Sequence, residues 1–196
     1  MQNLLGFILA GVALAGSPGP NTLSLAATGA AFGARRGIWY LVGLTVGMVV
    51  VMAIVAAGVM SVAMAIPGAA VAALVLSALY FAYLAFKIAT APPLSGQVGQ
   101  AKPPSFFGGV LLSLVNPKGY AAMAALFAGF ALSSDATHDA IAKIAVLTVV
   151  ILAVNVGWLI AGSALTRYFR NPRTNRIINI VFAVLLIVSL VPAIVM

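Results

Sequence analysis

The chain of 196 residues has no cysteine, one histidine (His138) and two acidic residues, Asp135 and Asp139. Without cysteine there are no disulfides and no thiolate metal sites. One imidazole and two carboxylates leave too few ligands for a dedicated metal centre, so no metal and no cofactor is expected. A nucleophile and its base cannot be assembled from that set either, so the chain does not read as an enzyme. There is no G-x-x-x-x-G-K-[ST] phosphate loop, which excludes ATP hydrolysis by this chain. Charged residues of all kinds make up 6% of the sequence. A soluble domain carries about a quarter.

Apolar residues fill the space that charge leaves, at 64% of the chain. That composition predicts an all-α polytopic membrane protein, since about 20 apolar residues make one span. Strand-period alternation is absent, which argues against an outer-membrane barrel. The net charge of +8 is not a nucleic-acid signal, because the cations form no face or stripe. They fall in turns between apolar runs, where positive charge sets membrane orientation. The first residues resemble a signal peptide in hydropathy. They lack a positive n-region, and the apolar run resumes beyond Ala13-Leu14-Ala15, so the segment is expected to be retained.

Six spans are predicted, at about 4–31, 38–65, 69–88, 105–132, 140–166 and 177–195. Gly33 to Gly37, with Arg35 and Arg36, reads as a short polar turn, and Pro67-Gly68 as a tight one. Residues 91–104 form the one long loop, 133–139 an acidic loop holding His138, and 167–176 a basic turn. Trp39, Tyr40, Tyr168 and Phe169 read as interfacial belt residues, and Gly43-x-x-x-Gly47 as a close-packing pattern. Met48, Met52, Met60 and Met64 recur at near-helical spacing and read as packing. Turns after spans one, three and five hold eight Lys and Arg and no acidic residue, which places them in the cytoplasm and both termini outside.

Two of the spans are interrupted at their centres. Ser17-Pro18-Gly19-Pro20-Asn21 lies midway along the first, and Asn116-Pro117-Lys118-Gly119 midway along the fourth. A proline has no N–H for the i→i−4 bond, so Pro18, Pro20 and Pro117 free the carbonyls of Leu14, Gly16 and Ser113. Broken backbone survives at membrane depth only where protein buries it or where it lines a watery cavity. Two matched breaks predict two inverted three-helix repeats, about 1–90 and 105–196, forming one transmembrane domain over 1–196. Transporters of this architecture bind substrate at mid-membrane between broken helices. Asn116-Pro117 reads as an N-cap followed by proline at the first helical position, whose positive dipole end suits a carboxylate. The freed carbonyls suit an ammonium group. Together they match a zwitterionic amino acid.

Lys118 is the one ionisable residue near the middle of a span, and no span carries a carboxylate to neutralise it. It reads as a carboxylate clamp or a proton-coupling group, facing carbonyls, water or an anionic substrate group. Tyr120 reads either as a cavity residue or as a core aromatic. Asn155 reads first as a bond across helices, with Trp158 beside it. The candidate substrate-binding residues are thus Ser17, Pro18, Gly19, Pro20, Asn21, Asn116, Pro117, Lys118, Tyr120 and Asn155.

The runs GSPGPNTLSLAATGAAFGARRGIWYLVGLTVG and FFGGVLLSLVNPKGYAAMAALF resemble the N-terminal and central motifs of the LysE/RhtB amino-acid exporters, and RYFRNPRTNR before the last apolar helix is similar too. The resemblance covers essentially the whole chain. It implies a six-span exporter of small amino acids or derivatives in the cell inner membrane, driven by the proton gradient. Pro18, Gly19, Pro20, Asn21, Asn116, Pro117 and Lys118 match its motif positions. Two departures matter. Many relatives carry a histidine or other polar residue on span two, where this chain reads MVVVMAIVAA, and an acidic residue near Asn155. Their loss favours a neutral substrate such as homoserine, threonine or leucine over lysine or arginine. Competing readings are export of a metal cation or an amphipathic metabolite, or a membrane component that only packs with partners. The expected partners are an amino acid and the lipid bilayer, with a homodimer allowed by the glycine patterns.

The missing cysteines make orientation simple to test. An impermeant thiol reagent should label Ser133→Cys from outside the cell and leave Lys102→Cys unlabelled. Labelling at position 102 alone would reverse the orientation.

Overall fold

In lipid every backbone N–H and C=O has to be paired inside the chain, which favours helices. The computed structural model describes residues 2–58, 103–164 and 172–188 continuously, and between them residues 67–68, 71–72, 75, 78–79, 82–83, 85–86 and 89–90. These residues are helical apart from short connections, and none is in a strand. The continuous helices are α1 (Gln2–Gly16), α2 (Pro20–Phe32), α3 (Ala34–Ala56), α4 (Phe106–Leu114), α5 (Pro117–Gly129), α6 (Ala136–Ala164) and α7 (Pro172–Val188). The described residues between 71 and 89 are helical as well.

Both predicted interruptions are real. The α1–α2 pair bends by 61° at 17–19, and the α4–α5 pair by 63° at 115–116. Among the described residues, α3 and α6 are each long and apolar enough to cross a membrane, and counting each bent pair as one span raises the number there to four. Much of the third predicted span, including Tyr80 and Lys87, lies outside the described residues, as do 91–102, 167–171, Met60, Met64, Tyr168 and Phe169.

Several boundaries differ from expectation. Arg35, Arg36 and Gly37 are not a turn but the start of α3, because Gly33 at φ +80° makes the reversal alone. Only glycine adopts that backbone without strain, so a single residue suffices. α6 begins at Ala136, inside the predicted acidic loop. The Asp135 carboxylate accepts from the His138 amide at 2.8 Å, an N-terminal cap that the spacing had not suggested. His138 itself is exposed, with its ring 2.9 Å from that carboxylate. Arg173 and Arg176 belong to the first turns of α7 rather than to a loop, with Pro172 at its start.

Tyr40 corrects the belt assignment. Trp39 is exposed, but Tyr40 is 1% exposed and its hydroxyl bonds Ser24 Oγ at 3.0 Å. The two are adjacent on a helix and so face about 100° apart. Tyr40 belongs to an apolar cluster with Leu25, Leu41, Leu44, Leu112 and Leu159. A second cluster joins Phe7, Met48, Val51, Met52, Met123, Leu126, Leu147 and Ile151. Met48 and Met52 therefore pack, as expected. The breaks lie between the two clusters. Leucine, isoleucine and valine on the outer faces of α1, α3 and α6 are exposed, as suits a hydrocarbon solvent.

Helices in lipid associate mainly by close packing, so small residues mark the seams. A Cβ on Gly43 would collide with the Phe106 carbonyl, and one on Gly47 would come within 2.8 Å of the Val110 carbonyl. Gly43-x-x-x-Gly47 is thus the seat of α4 within the same chain, and cannot also be a seam for a second copy. The α2–α6 crossing is equally tight. A Cβ on Gly162 would meet the Ala26 carbonyl, and one on Gly29 the Leu159 carbonyl.

Gly43→Val and Gly162→Val should each destabilise by at least about 1–3 kcal/mol, the usual cost of overpacking. Gly157→Ala, where an added Cβ meets nothing within 4 Å, should leave stability at or above wild type. Thermal unfolding of detergent-purified protein separates the two outcomes.

Candidate functional site

Prolines start both second half-helices. Pro20 is the first residue of α2, and Pro117 the first of α5, preceded by Asn116 in the extended conformation of an N-cap. The Asn116 side chain, however, does not cap α5. It reaches across to the other break, where its Nδ2 donates to Asn21 Oδ1 at 3.0 Å. Asn21 Nδ2 donates to Ser113 Oγ at 3.0 Å, and Ser113 Oγ donates to the Leu44 carbonyl at 2.9 Å. The two breaks are therefore joined side chain to side chain, and the join is tied to α3.

The second connection is Lys118. Its ammonium donates to the Ser17 carbonyl at 2.7 Å, to Ser17 Oγ at 2.7 Å and to the Pro18 carbonyl at 2.9 Å. An ammonium has three N–H donors, so this one is fully used. Of the partners anticipated for it, carbonyls are the ones it finds. Gly19 makes the approach possible, because a Cβ there would sit 2.8 Å from Lys118 Nζ. Lys118 is a brace between the breaks, and would have to exchange partners to clamp a carboxylate.

The freed carbonyls are occupied as well, in correction of the expectation that they wait for an ammonium. Leu14 accepts from Ser17 Oγ at 2.8 Å, Gly16 from Trp158 Nε1 at 3.2 Å, and Ser113 from the Asn116 amide at 3.3 Å. The first break is further closed by Thr22, whose Oγ1 accepts from the Gly19 amide at 2.9 Å. That is the reaching-back half of a capping box.

Beside this join lies a cavity of about 50 Å3. A water needs some 10–15 Å3 on that measure, so several fit. Ser17, Gly19, Pro20, Asn21, Asn116, Lys118 and Asn155 line it. Pro18 and Pro117 do not: Pro18 gives its carbonyl to Lys118, and Pro117 opens α5. Tyr120 is not among the residues that line the cavity, and it packs, half-buried, against the apolar cluster of Phe7 and Met123. Asn155 makes the expected cross-helix bond, Nδ2 to Thr45 Oγ1 at 3.2 Å, while also reaching the cavity.

Sequence inspection missed the opposite wall. Met48, Met123 and Ile151 supply an apolar face, and Thr22 a hydroxyl. Only Thr22 left a trace, at capping-box spacing from Gly19. Also missed was Lys143 on α6, 3% exposed, which pairs with Asp139 at 2.5 Å and donates to the Phe127 carbonyl at 2.9 Å. Asp139 in turn accepts from the Leu132 and Ser133 amides. This cluster ties the end of α5 to the start of α6, away from the cavity.

If Lys118 is a brace, removing it should weaken the fold in the absence of any substrate. Lys118→Met leaves the Pro18 carbonyl without its donor and the Ser17 carbonyl with only the Thr22 hydroxyl at 3.4 Å, at about 1–3 kcal/mol in all. The thermal midpoint should drop by several degrees. An unchanged midpoint would return Lys118 to the role of a free clamp.

Comparison with curated proteins and with solved structures gave no match. The family described as LysE type translocator matches residues 12–191, which include both breaks, every cavity-lining residue and all helices beyond the first turns of α1. The chain therefore belongs to the LysE type translocator family.

Proposed function

We propose that this translocator exports small neutral amino acids, or close derivatives, across the cell inner membrane in exchange for protons, by alternating access. The observation that carries the proposal is the cavity at the junction of two broken helices. It places a helix N-terminus, three asparagines and a lysine against an apolar wall. The first amides of a helix have no intrahelical partner, and Pro20 contributes none, so the Asn21 and Thr22 amides are donors for a carboxylate. Lys118 sets positive charge just before the start of α2, at Ser17 and Pro18. No carboxylate lines the cavity, so nothing there would hold the charged end of lysine or arginine. Met48, Met123 and Ile151 instead suit a short apolar side chain.

This reading takes the chain as one six-span domain of two inverted halves with both termini outside. The bend angles of 61° and 63°, close to equal, support the inverted pairing. The buried asparagines also speak for substrate rather than metal, since neutral amides are poor ligands for transition metals.

Cells or proteoliposomes loaded with labelled amino acids test the proposal. A neutral amino acid should leave faster than from a vector control, and an uncoupler should abolish the difference. Asn21→Ala should lower the rate at least tenfold at equal membrane expression, because it keeps the backbone amide but removes the side-chain join to Ser113 and Asn116 that holds the two breaks together. If no amino acid in a broad panel leaves faster than the control, the proposal fails.

A further inference from the structure

The hydrogen bonds joining the breaks have a direction, and the direction has a chemical result. A backbone carbonyl only accepts, so the 2.9 Å contact at Leu44 requires the Ser113 hydroxyl to donate its single proton there. Ser113 Oγ can then only accept from Asn21, which must present Nδ2. Asn21 Oδ1 is left facing Asn116, which must also present Nδ2. The last amide in the relay is thereby turned so that Asn116 Oδ1 remains over. That atom is buried, on a residue 4% exposed that lines the cavity, and has no hydrogen-bond partner among the described residues. The same logic applies across the cavity. Thr45 Oγ1 donates to the Leu41 carbonyl at 3.0 Å and so accepts from Asn155 Nδ2, leaving Asn155 Oδ1 as a second acceptor.

We infer that Asn116 Oδ1 and Asn155 Oδ1 receive the ammonium group of the substrate, and that Ser113 is the positioning residue that makes Asn116 an acceptor. This rests on the cavity being the amino-acid site. A buried acceptor without a donor is costly, whereas an ammonium brings three donors and forms the stronger, charge-assisted bond. The assignment also orients the substrate. Its carboxylate lies toward the α2 amides and its ammonium toward Asn116 and Asn155, with the side chain on the Met48–Met123 face. Helix N-termini and lysine choose one end of the zwitterion, and the relay chooses the other.

Three isosteric competitors separate this from binding by size or net charge. The wild-type protein in proteoliposomes is given the neutral amino acid that it exports best, with its α-hydroxy acid and its α-keto acid as inhibitors. For leucine these are 2-hydroxy-4-methylpentanoate and 4-methyl-2-oxopentanoate. The two acids carry the same charge, but the hydroxy acid can donate at the α position and the keto acid can only accept. The unlabelled amino acid should inhibit best, the hydroxy acid next, and the keto acid roughly tenfold or more behind it. In Ser113→Ala the amides can turn over, and the gap between hydroxy and keto acid should shrink to about twofold. A merely structural serine would weaken both inhibitors alike and keep the gap. A keto acid that inhibits the wild-type protein as well as the hydroxy acid overturns the inference while leaving amino-acid export intact. A wild-type protein that exports no amino acid removes the underlying function, and the inference with it.

Discussion

Everything in this chain depends on satisfying broken backbone away from water. Two helices stop at mid-length, and each stop exposes carbonyls that would be expensive in hydrocarbon. One ammonium satisfies the Ser17 and Pro18 carbonyls from the opposite break, and a relay of two side-chain amides and a hydroxyl joins the breaks to each other and to α3. Neither break is stable alone in this sense. Lys118 supplies donors that the first break lacks, and the first break supplies the oxygen partners that a half-buried cation needs. The site is therefore a mutual solution to two local problems. Its polarity is a by-product of how those problems are solved.

The glycine seams hold the solution in place unevenly. At the end of the molecule marked by Arg35 and Arg36, α2 meets α6 and α4 meets α3 with backbone against backbone. At the end marked by Asp135 and Asp139, α1 meets its neighbours through side chains: a Cβ on Gly11 would meet the Leu147 side chain of α6, and one on Gly6 would sit 3.4 Å from the Phe130 ring just beyond α5. In the proposed inversion of the halves, α2 corresponds to α5 and α4 to α1, and such a difference between the ends is what a single access state of a transporter requires.

The breaks themselves were legible in the sequence, because proline and glycine act locally and their effect on the i→i−4 ladder needs no partner. For the same reason Pro117 at the start of α5 and the freed carbonyls of Leu14 and Gly16 could be named in advance. Their partners could not. Trp158 lies 142 residues from Gly16, and Ser113 lies 92 from Asn21. One sequence without its fold carries no signal of such pairings. Tyr40 was misplaced because an aromatic near a cationic turn suits a belt and a core equally until the helix phase is known. Arg35 and Arg36 read as loop because charge usually marks a turn, although Gly33 alone makes the reversal. Gly43-x-x-x-Gly47 announced a seam but not whose. The pattern specifies closeness, and closeness inside a chain looks the same as closeness between chains.

The order of synthesis adds a consequence to the Lys118 brace. The Ser17 carbonyl and its donor are 101 residues apart. At a translation rate of about 5–20 residues per second, the first break exists for roughly 5–20 s before Lys118 has been made. Through that interval the Pro18 carbonyl lacks that donor and the Ser17 carbonyl keeps only the Thr22 hydroxyl at 3.4 Å, so at the growing chain water has to complete the set. In the proposed membrane arrangement the α1–α2 pair therefore waits in a hydrated place, at the insertion machinery or against the headgroups, until the α4–α5 pair arrives. Membrane insertion of this protein is a matter of timing as well as of hydropathy, and the interval is set by the distance between two motifs.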